Sequence, residues 1–286
     1  MNKTFLSPVK INLTLRVMSR RPDCFHEVFS LFFKKHGTEG LTIRPIIGEN
    51  IVDILHTKGI DIEGQNIVLR TLNWARGKGL SIPRLDMELE KCYPTGSGIG
   101  AGSGNAAALL EYLRVTYAFA PSALEIAELG ADVSFLAQDA DLAFVRGKGE
   151  ILEPLHSSLP LTVVLAFPAW RSGTAEAYRA LDDLRADGSA PPISLQDAVT
   201  EAVQIFGKLK KKERVGFLPN DFYVLFQDRE EYQRAFEMME EMDALGWGLC
   251  GSGSALFAIS SDDRCAEAIQ RVLQNEKWVQ QTNRLE

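Results

Sequence analysis

Cysteine is scarce in this chain: four in 286 residues, at Cys24, Cys92, Cys250 and Cys265, with no Cys-x-x-Cys pair. A disulfide framework is thereby excluded, and neither a zinc nor a dithiol redox motif is present. Long apolar runs are also missing. No stretch reaches the roughly 18 apolar residues that a membrane-spanning helix needs. The most apolar segment, Leu161 to Trp170, is short, rich in β-branched residues and stopped by Pro168, which suits a buried strand. The N-terminus interrupts its apolar residues with Lys3, Pro8 and Lys10, so it holds no signal-peptide core and the default address is cytoplasmic. Positive charge is in deficit, 31 Lys plus Arg against 38 Asp plus Glu, for a formal charge of −7. Such a chain repels a phosphate backbone at long range, so neither nucleic acid nor a membrane surface is an expected partner. Any anionic ligand requires a local exception to that field.

What is present is ordinary for a folded protein: 45% hydrophobic and 24% charged residues, enough apolar area to form a core. The length suggests two domains, divided as residues 1–155 and 156–286. The first part reads mostly as strands. Ile11, Leu13, Leu15 and Val17 alternate with Asn12, Thr14, Arg16 and Met18, the period of a half-buried strand. Further strand-like runs are Val28 to Phe33, Leu41 to Ile47, Ile51 to Leu55 and Leu85 to Leu89. A helix starts near Asn66 and stops at Gly77 and Gly79, and Ser122 with Glu125 forms a capping box. Strands return at Ala143 to Val145 and Leu161 to Phe167. The second part is more helical, with helices expected at Thr174 to Leu184, Leu195 to Phe206 (capped by Ser194), Glu230 to Leu245 and Arg264 to Leu273. A strand-loop-strand element containing Gly251-Ser-Gly253 lies between the last two. The charge run from Lys208 to Arg214 reads as a solvated helix end.

The strongest local feature is Pro94-Thr-Gly-Ser-Gly-Ile-Gly-Ala-Gly-Ser-Gly-Asn105, which leads into a helix expected over Ala106 to Tyr117. Five glycines in nine positions free the backbone for positive φ and close approach to a ligand. At a helix start, their N–H groups and the helix dipole favour an anion. The common phosphate loop is absent, since no Gly-Lys-Ser or Gly-Lys-Thr occurs. Gly96-Ser-Gly98-Ile-Gly-Ala101 satisfies the loose dinucleotide pattern, but it does not follow a first βαβ strand, and Glu111 and Glu125 fall within helices. A nicotinamide oxidoreductase is therefore a weaker alternative.

Ser7-Pro-Val-Lys-Ile-Asn-Leu13, the Pro94 to Asn105 loop and Gly251-Ser-Gly253 follow one another in the order of the three motifs of the GHMP kinases, the superfamily of galactokinase, homoserine kinase and mevalonate kinase. The chain resembles that family from Ser7 to about Phe257. Within it, Arg20-Arg-Pro-Asp-Cys-Phe-His-Glu27, Gly130-Ala-Asp-Val133 and Gly147-Lys-Gly149-Glu-Ile-Leu152 resemble the members that phosphorylate a cytidyl-diphosphate sugar alcohol on the non-mevalonate route to isoprenoids. The resemblance implies a two-domain α+β fold of the GHMP-kinase type, with the active site in the cleft between domains. It implies an ATP-dependent phosphotransferase, with Mg²⁺, acting on a small molecule as a monomer or weak homodimer. The rival readings are another GHMP small-molecule kinase and a catalytically inactive ligand-binding homologue.

By the same resemblance Lys10 and Asp132 sit at the reacting centre. Asn12, Phe25, His26, Thr174 and Tyr178 hold the acceptor, with an aromatic on each face of the cytosine and the histidine reading its edge. Pro94, Gly96, Ser97, Gly98, Gly100, Gly102, Ser103 and Gly104 wrap the triphosphate, Ser103 near the metal, and Asn66 and Lys91 lie near the adenine. No residue is assigned as a metal ligand. Each position has a plainer reading: Asp132 and Asn66 as helix caps, Lys10 as a solvent-facing strand residue, His26 as a structural histidine. Chemistry limits the role of Asp132. An alcohol near water's 15.7 stands about 12 units above an ordinary carboxylate near 3.9, roughly 16 kcal/mol. Such a carboxylate orients the hydroxyl and takes its proton late, in a loose transition state. Five positions depart from the family pattern: Val9 for Ala, Cys24 for Gly, Phe25 for Tyr, Gly104 for Ser and Ser134 for Pro.

Overall fold

A computed structural model describes residues 3–46, 52–60 and 64–286. Ile47 and Ile51, which end two of the expected strand runs, lie outside the described residues. The chain forms two compact units that are not contiguous in sequence. The first takes residues up to Lys10, Lys35–Thr95 and Gly100–Asp139; the second takes Ile11–Lys34, Gly96–Ile99 and Ala140–Glu286.

Two long strands, β1 (Lys3–Arg20) and β2 (His26–Pro45), pair with each other and contribute residues to both units. In the first unit Gly40–Pro45 of β2 pairs antiparallel with β4 (Leu85–Lys91), and β3 (Ile54–Gly59) joins β4 in parallel. Helix α1 (Ile67–Gly77) is capped by Asn66, whose side chain accepts from the Val68 N–H. It packs with α2 (Ala101–Tyr117), burying Val68, Leu72, Leu109 and Leu113 against Leu41, Ile43, Met87 and Leu89. The expected capping box is present at Ser122, but the helix it opens, α3 (Ala123–Ile126), is a single turn. Helix α4 (Ala131–Leu136) follows at once, tied back by the Ser134 hydroxyl, which donates to the Ala123 carbonyl at 2.8 Å.

In the second unit Ser30–Phe33 of β2 pairs with β5 (Leu142–Arg146), and β5 with β6 (Ile151–Pro154). A second sheet is ordered β11-β7-β10-β9-β8, from β7 (Thr162–Pro168), β8 (Gly216–Phe217), β9 (Gly246–Leu249), β10 (Leu256–Ser260) and β11 (Val279–Leu285). Four helices belong to this unit: α5 (Thr174–Ala186), α6 (Leu195–Lys210, capped by Ser194), α7 (Glu230–Glu241) and α8 (Asp263–Gln274). Val164, Ala258, Leu249, Tyr232, Ile269 and Phe222 form its core.

Three differences from the sequence pattern have physical causes. Strand β1 is not half-buried: Lys10, Asn12 and Thr14 are as buried as Ile11 and Leu13, because polar partners receive the second face. Helix α2 starts at Ala101 rather than Ala106 and keeps glycine, a poor helix former, in its first turn at Gly104, where the Pro8 carbonyl leaves no room for a side chain. Strands β6 and β11 carry little apolar alternation, and β11 (V-Q-Q-T-N-R-L) is held by its ladder to β7 at the sheet edge.

One buried ion pair organises the first unit. Lys91 and Glu39 are 2% and 0% exposed, with the Lys91 Nζ 2.6 Å from Glu39 Oε1. The Glu39 carboxylate also accepts from the backbone N–H groups of Cys92 (3.1 Å) and Tyr93 (2.9 Å), and from Asn105 Nδ2 at 2.7 Å. Asn105 Nδ2 donates as well to Ser7 Oγ at 2.9 Å. A buried carboxylate is tolerated when its lone pairs are filled in this way. Glu39→Ala strands the Lys91 ammonium in the core, and the expected loss is about 3–5 kcal/mol of unfolding free energy. Urea denaturation measures it, and a loss below about 1 kcal/mol would refute the structural weight given to the pair.

Candidate active site

The glycine loop is shaped by positive φ at Gly96 (71°), Gly98 (82°) and Gly100 (69°). Pro94 enters the loop half-buried, Ser97 is buried, and the Ser97 carbonyl accepts from the Ala255 N–H at 3.2 Å. At Gly98 a Cβ would stand 1.9 Å from the Cys250 carbonyl oxygen, so this position admits no side chain. Gly100 caps α2 in the left-handed conformation and offers no side-chain cap. Gly102, Ser103 and Gly104 therefore form the helix's first turn rather than part of a loop. The Gly104 N–H already donates to the Gly100 carbonyl at 2.9 Å. Ala101, Gly102 and Ser103 precede the first residues with intrahelical acceptors, and no acidic side chain stands in that turn. A 17-residue helix thus presents its positive end without a built-in anion, which suits a phosphate.

Lys10 and Asp132 meet beside that end. Lys10 Nζ lies 3.8 Å from Asp132 Oδ2, the lysine side chain 7% exposed and the aspartate 33%. A Cβ at Gly100 would be 3.3 Å from Asp132 Oδ2 and 3.5 Å from Lys10 Cγ, so the pair rests directly against the helix cap. Lys10 is not a solvent-facing strand residue, and Asp132 is not an N-cap, since Gly130 holds that position in α4. Asp132 sits in the first turn of α4 with a carboxylate edge open to solvent. Such a group can accept a proton from a bound hydroxyl, while the adjacent ammonium stabilises developing negative charge.

The remaining nucleotide-side residues have structural partners. Asn66 uses Oδ1 to cap α1, at 2.8 Å from the Val68 nitrogen. Lys91 is buried against Glu39 and Asn105. Glu39 and Asn105 are absent from the sequence expectations because their partners lie dozens of residues away.

The second unit carries the residues expected to hold the acceptor. Asn12 Nδ2 donates to Ser30 Oγ at 2.9 Å, and Ser30 Oγ donates in turn to the Thr14 carbonyl. Cys24 keeps the left-handed turn (φ 67°) that a glycine would take freely, a conformation that costs a side-chain-bearing residue about 1–2 kcal/mol. The turn leaves Phe25 55% exposed, with Lys148 Nζ 4.7 Å from its ring centroid. His26 is buried, stacked on Tyr178 at 5.0 Å and 19°, and its Nε2 lies 2.7 Å from Asp182 Oδ1. Phe222 braces Tyr178 edge-on at 4.8 Å. Thr174 opens α5, and its Oγ1 lies 3.2 Å from Ser252 Oγ, which joins the Gly251-Ser-Gly253 loop to the same helix. Asp182, unlike Tyr178, was not expected from sequence, although it stands four residues after Tyr178 on one helical face.

Residues 66–147 match the family model described as the GHMP kinases N terminal domain, and residues 224–280 the one described as GHMP kinases C terminal. A protein of Pelotomaculum thermopropionicum named 4-diphosphocytidyl-2-C-methyl-D-erythritol kinase is 31% identical over 277 residues, 93% of this chain and 92% of the relative. The chain belongs to the GHMP kinases. A protein of the same name from Solidesulfovibrio magneticus is 33% identical over 267 residues, covering 88% of this chain and 86% of the relative. The crystal structure of a 4-(cytidine 5'-diphospho)-2C-methyl-D-erythritol kinase superposes with a TM-score of 0.77 at 28% identity, over 100% of this chain and 98% of that one. As a GHMP kinase the protein is a small-molecule kinase that takes ATP as phosphate donor. Among the described residues of this GHMP kinase, no helix is long and apolar enough to cross a membrane.

Two glycines of the α2 turn separate packing from propensity. A Cβ at Gly104 would meet the Pro8 carbonyl oxygen at 1.8 Å, whereas one at Gly102 meets nothing within 4 Å. Helical propensity alone favours alanine at either position by up to about 1 kcal/mol. Gly102→Ala is therefore expected to leave the thermal midpoint unchanged or raised. Gly104→Ala is expected to cost about 1–3 kcal/mol, because the backbone must shift. Thermal melts of both variants check this, and equal midpoints would refute the close approach.

Proposed function

We propose that this GHMP kinase transfers the γ-phosphoryl of ATP to the 2-hydroxyl of 4-diphosphocytidyl-2-C-methyl-D-erythritol. The observation that carries this reading is the likeness, over about nine-tenths of the chain, to relatives of that name. The site chemistry agrees with it. Phosphoryl transfer asks for a held alcohol, an aligned phosphate and neutralised charge, and little covalent work by the protein. The open end of α2 holds phosphate oxygens through backbone N–H groups. Asp132 Oδ2 orients the acceptor hydroxyl and receives its proton as the bond to phosphorus forms. Lys10, 3.8 Å from Asp132 Oδ2, stabilises the charge gathering on the transferred group.

Among the described residues no cluster of three or more His, Cys, Asp or Glu could cage a metal. That donor set fits Mg²⁺ carried by the nucleotide's own phosphates and water, with the Ser103 hydroxyl in the first turn of α2 as the protein oxygen that would stand near it, since Mg²⁺ at such sites needs only one or two protein ligands. When bound, the metal supplies charge neutralisation of the phosphates. On the acceptor side, Phe25 offers an exposed stacking face for the base, and the polar edge of His26 supplies direction, with stacking worth about 1–3 kcal/mol per base.

A coupled assay with ATP and three acceptors tests the substrate. Stimulation by the cytidyl-diphosphate methylerythritol, and not by mevalonate or homoserine, is the expected result; turnover of either of the others in its place overturns the reading. Asp132→Ala is expected to lower kcat by at least about 10³-fold, with an unchanged circular dichroism spectrum and unchanged ATP binding. Near-normal turnover in that variant would remove Asp132 from the reaction.

A further inference from the structure

We propose that Asp182 is a specificity-determining positioning residue: it fixes the His26 tautomer, so that the base pocket accepts cytosine and rejects uracil. This rests on the reading of a cytidyl-diphosphate acceptor given above. His26 is the only histidine of the expected acceptor set, and its ring is constrained in two independent ways. Stacking on Tyr178, at 5.0 Å and 19°, sets the plane of the imidazole, and the perpendicular contact of Tyr178 with Phe222 at 4.8 Å holds Tyr178 in turn. The 2.7 Å contact from Nε2 to Asp182 Oδ1 sets the rotation within that plane. Tyr178 and Asp182 are four residues apart on α5, so one helix face provides both constraints.

The consequence is chemical. An ionised carboxylate only accepts hydrogen bonds, so the ring proton facing it belongs to Nε2. In the neutral imidazole Nδ1 is then a bare acceptor. The His26 side chain is 8% exposed, which leaves little water to support the other tautomer. Cytosine carries an exocyclic amine at the position where uracil carries a carbonyl. The Nδ1 lone pair receives a hydrogen bond from the amine and opposes the carbonyl lone pairs. A buried polar group matched to one base and mismatched to the other discriminates by about ten- to a hundredfold. Without Asp182 the ring can place its proton on Nδ1 and accommodate uracil, and the distinction is lost. Asp182 touches neither reacting atom and acts only through His26.

Two measurements on the full chain test the inference. Ring ¹⁵N shifts report the proton position directly: wild type is expected to show His26 protonated at Nε2 and bare at Nδ1, and Asp182→Ala a mixture of tautomers. Calorimetric titration with CDP and with UDP reports the outcome. Wild type is expected to prefer CDP by at least about tenfold, Asp182→Ala to bring the ratio to within a factor of two or three, and Asp182→Asn, whose amide oxygen still accepts from Nε2, to fall between them. The KM for ATP is expected to be unchanged in both variants, an outcome that general loss of structure would not give. An unaltered CDP-to-UDP ratio in Asp182→Ala overturns the inference, as does a wild-type ring protonated on both nitrogens or a wild type without preference. If the tautomer and the ratio respond as stated but the methylerythritol compound is not phosphorylated, the acceptor reading fails while the role of Asp182 stands. If it is phosphorylated and the ratio does not respond, the converse holds.

Discussion

The Glu39 carboxylate of β2 ties the end of β4 and the first turns of α2 to one buried charged centre. It receives the Lys91 ammonium from β4, two backbone N–H groups where the chain leaves that strand for the glycine loop, and the Asn105 amide from α2. Asn105 in turn reaches Ser7 on β1, three residues before Lys10. The register of α2 against β1 therefore depends on a charge buried without access to water. Such an arrangement contributes less to stability than an apolar core of equal volume would. Its value lies in direction, because each partner is satisfied in one geometry and unsatisfied in the neighbouring ones.

An acidic kinase that takes ATP as its donor needs attraction confined to a small region. The formal charge of −7 is countered locally by the open N-terminus of α2 and by Lys10. These are short-range sources: a helix dipole acts within its first turn, and Lys10 is 7% exposed and so screened from bulk solvent by its neighbours. Lys91 contributes no free charge, since Glu39 neutralises it. The backbone share of this positive potential cannot be titrated away near neutral pH.

Much of the fold is legible in local chemistry. Asn66 and Ser194 mark helix starts because their side chains accept from nearby backbone N–H groups, a relation contained within a few residues. Lys10 and Asp132 were singled out only through motif resemblance, since nothing in the composition around either distinguishes it from a surface lysine or a cap. What stayed hidden depends on distant partners. β1 reads as half-buried because the alternation of Ile11 to Met18 says nothing of Ser30, which receives Asn12 on the other face. β11 reads as polar chain because its stability comes from a ladder to β7 more than a hundred residues away. The start of α2 was misplaced because propensity counts glycine against a helix, whereas at Gly104 tertiary approach decides.

That approach at Gly104 has a mechanical meaning. With the Pro8 carbonyl seated where a side chain would otherwise stand, and Lys10 two residues along the same strand, helix and strand have no interposed layer that could slip or compress. The first turn of α2 and Lys10 are then parts of one rigid anvil rather than of a flap that folds over its ligand. The ordering entropy that a flexible loop gives up at each encounter with nucleotide has here already been given up once, during folding.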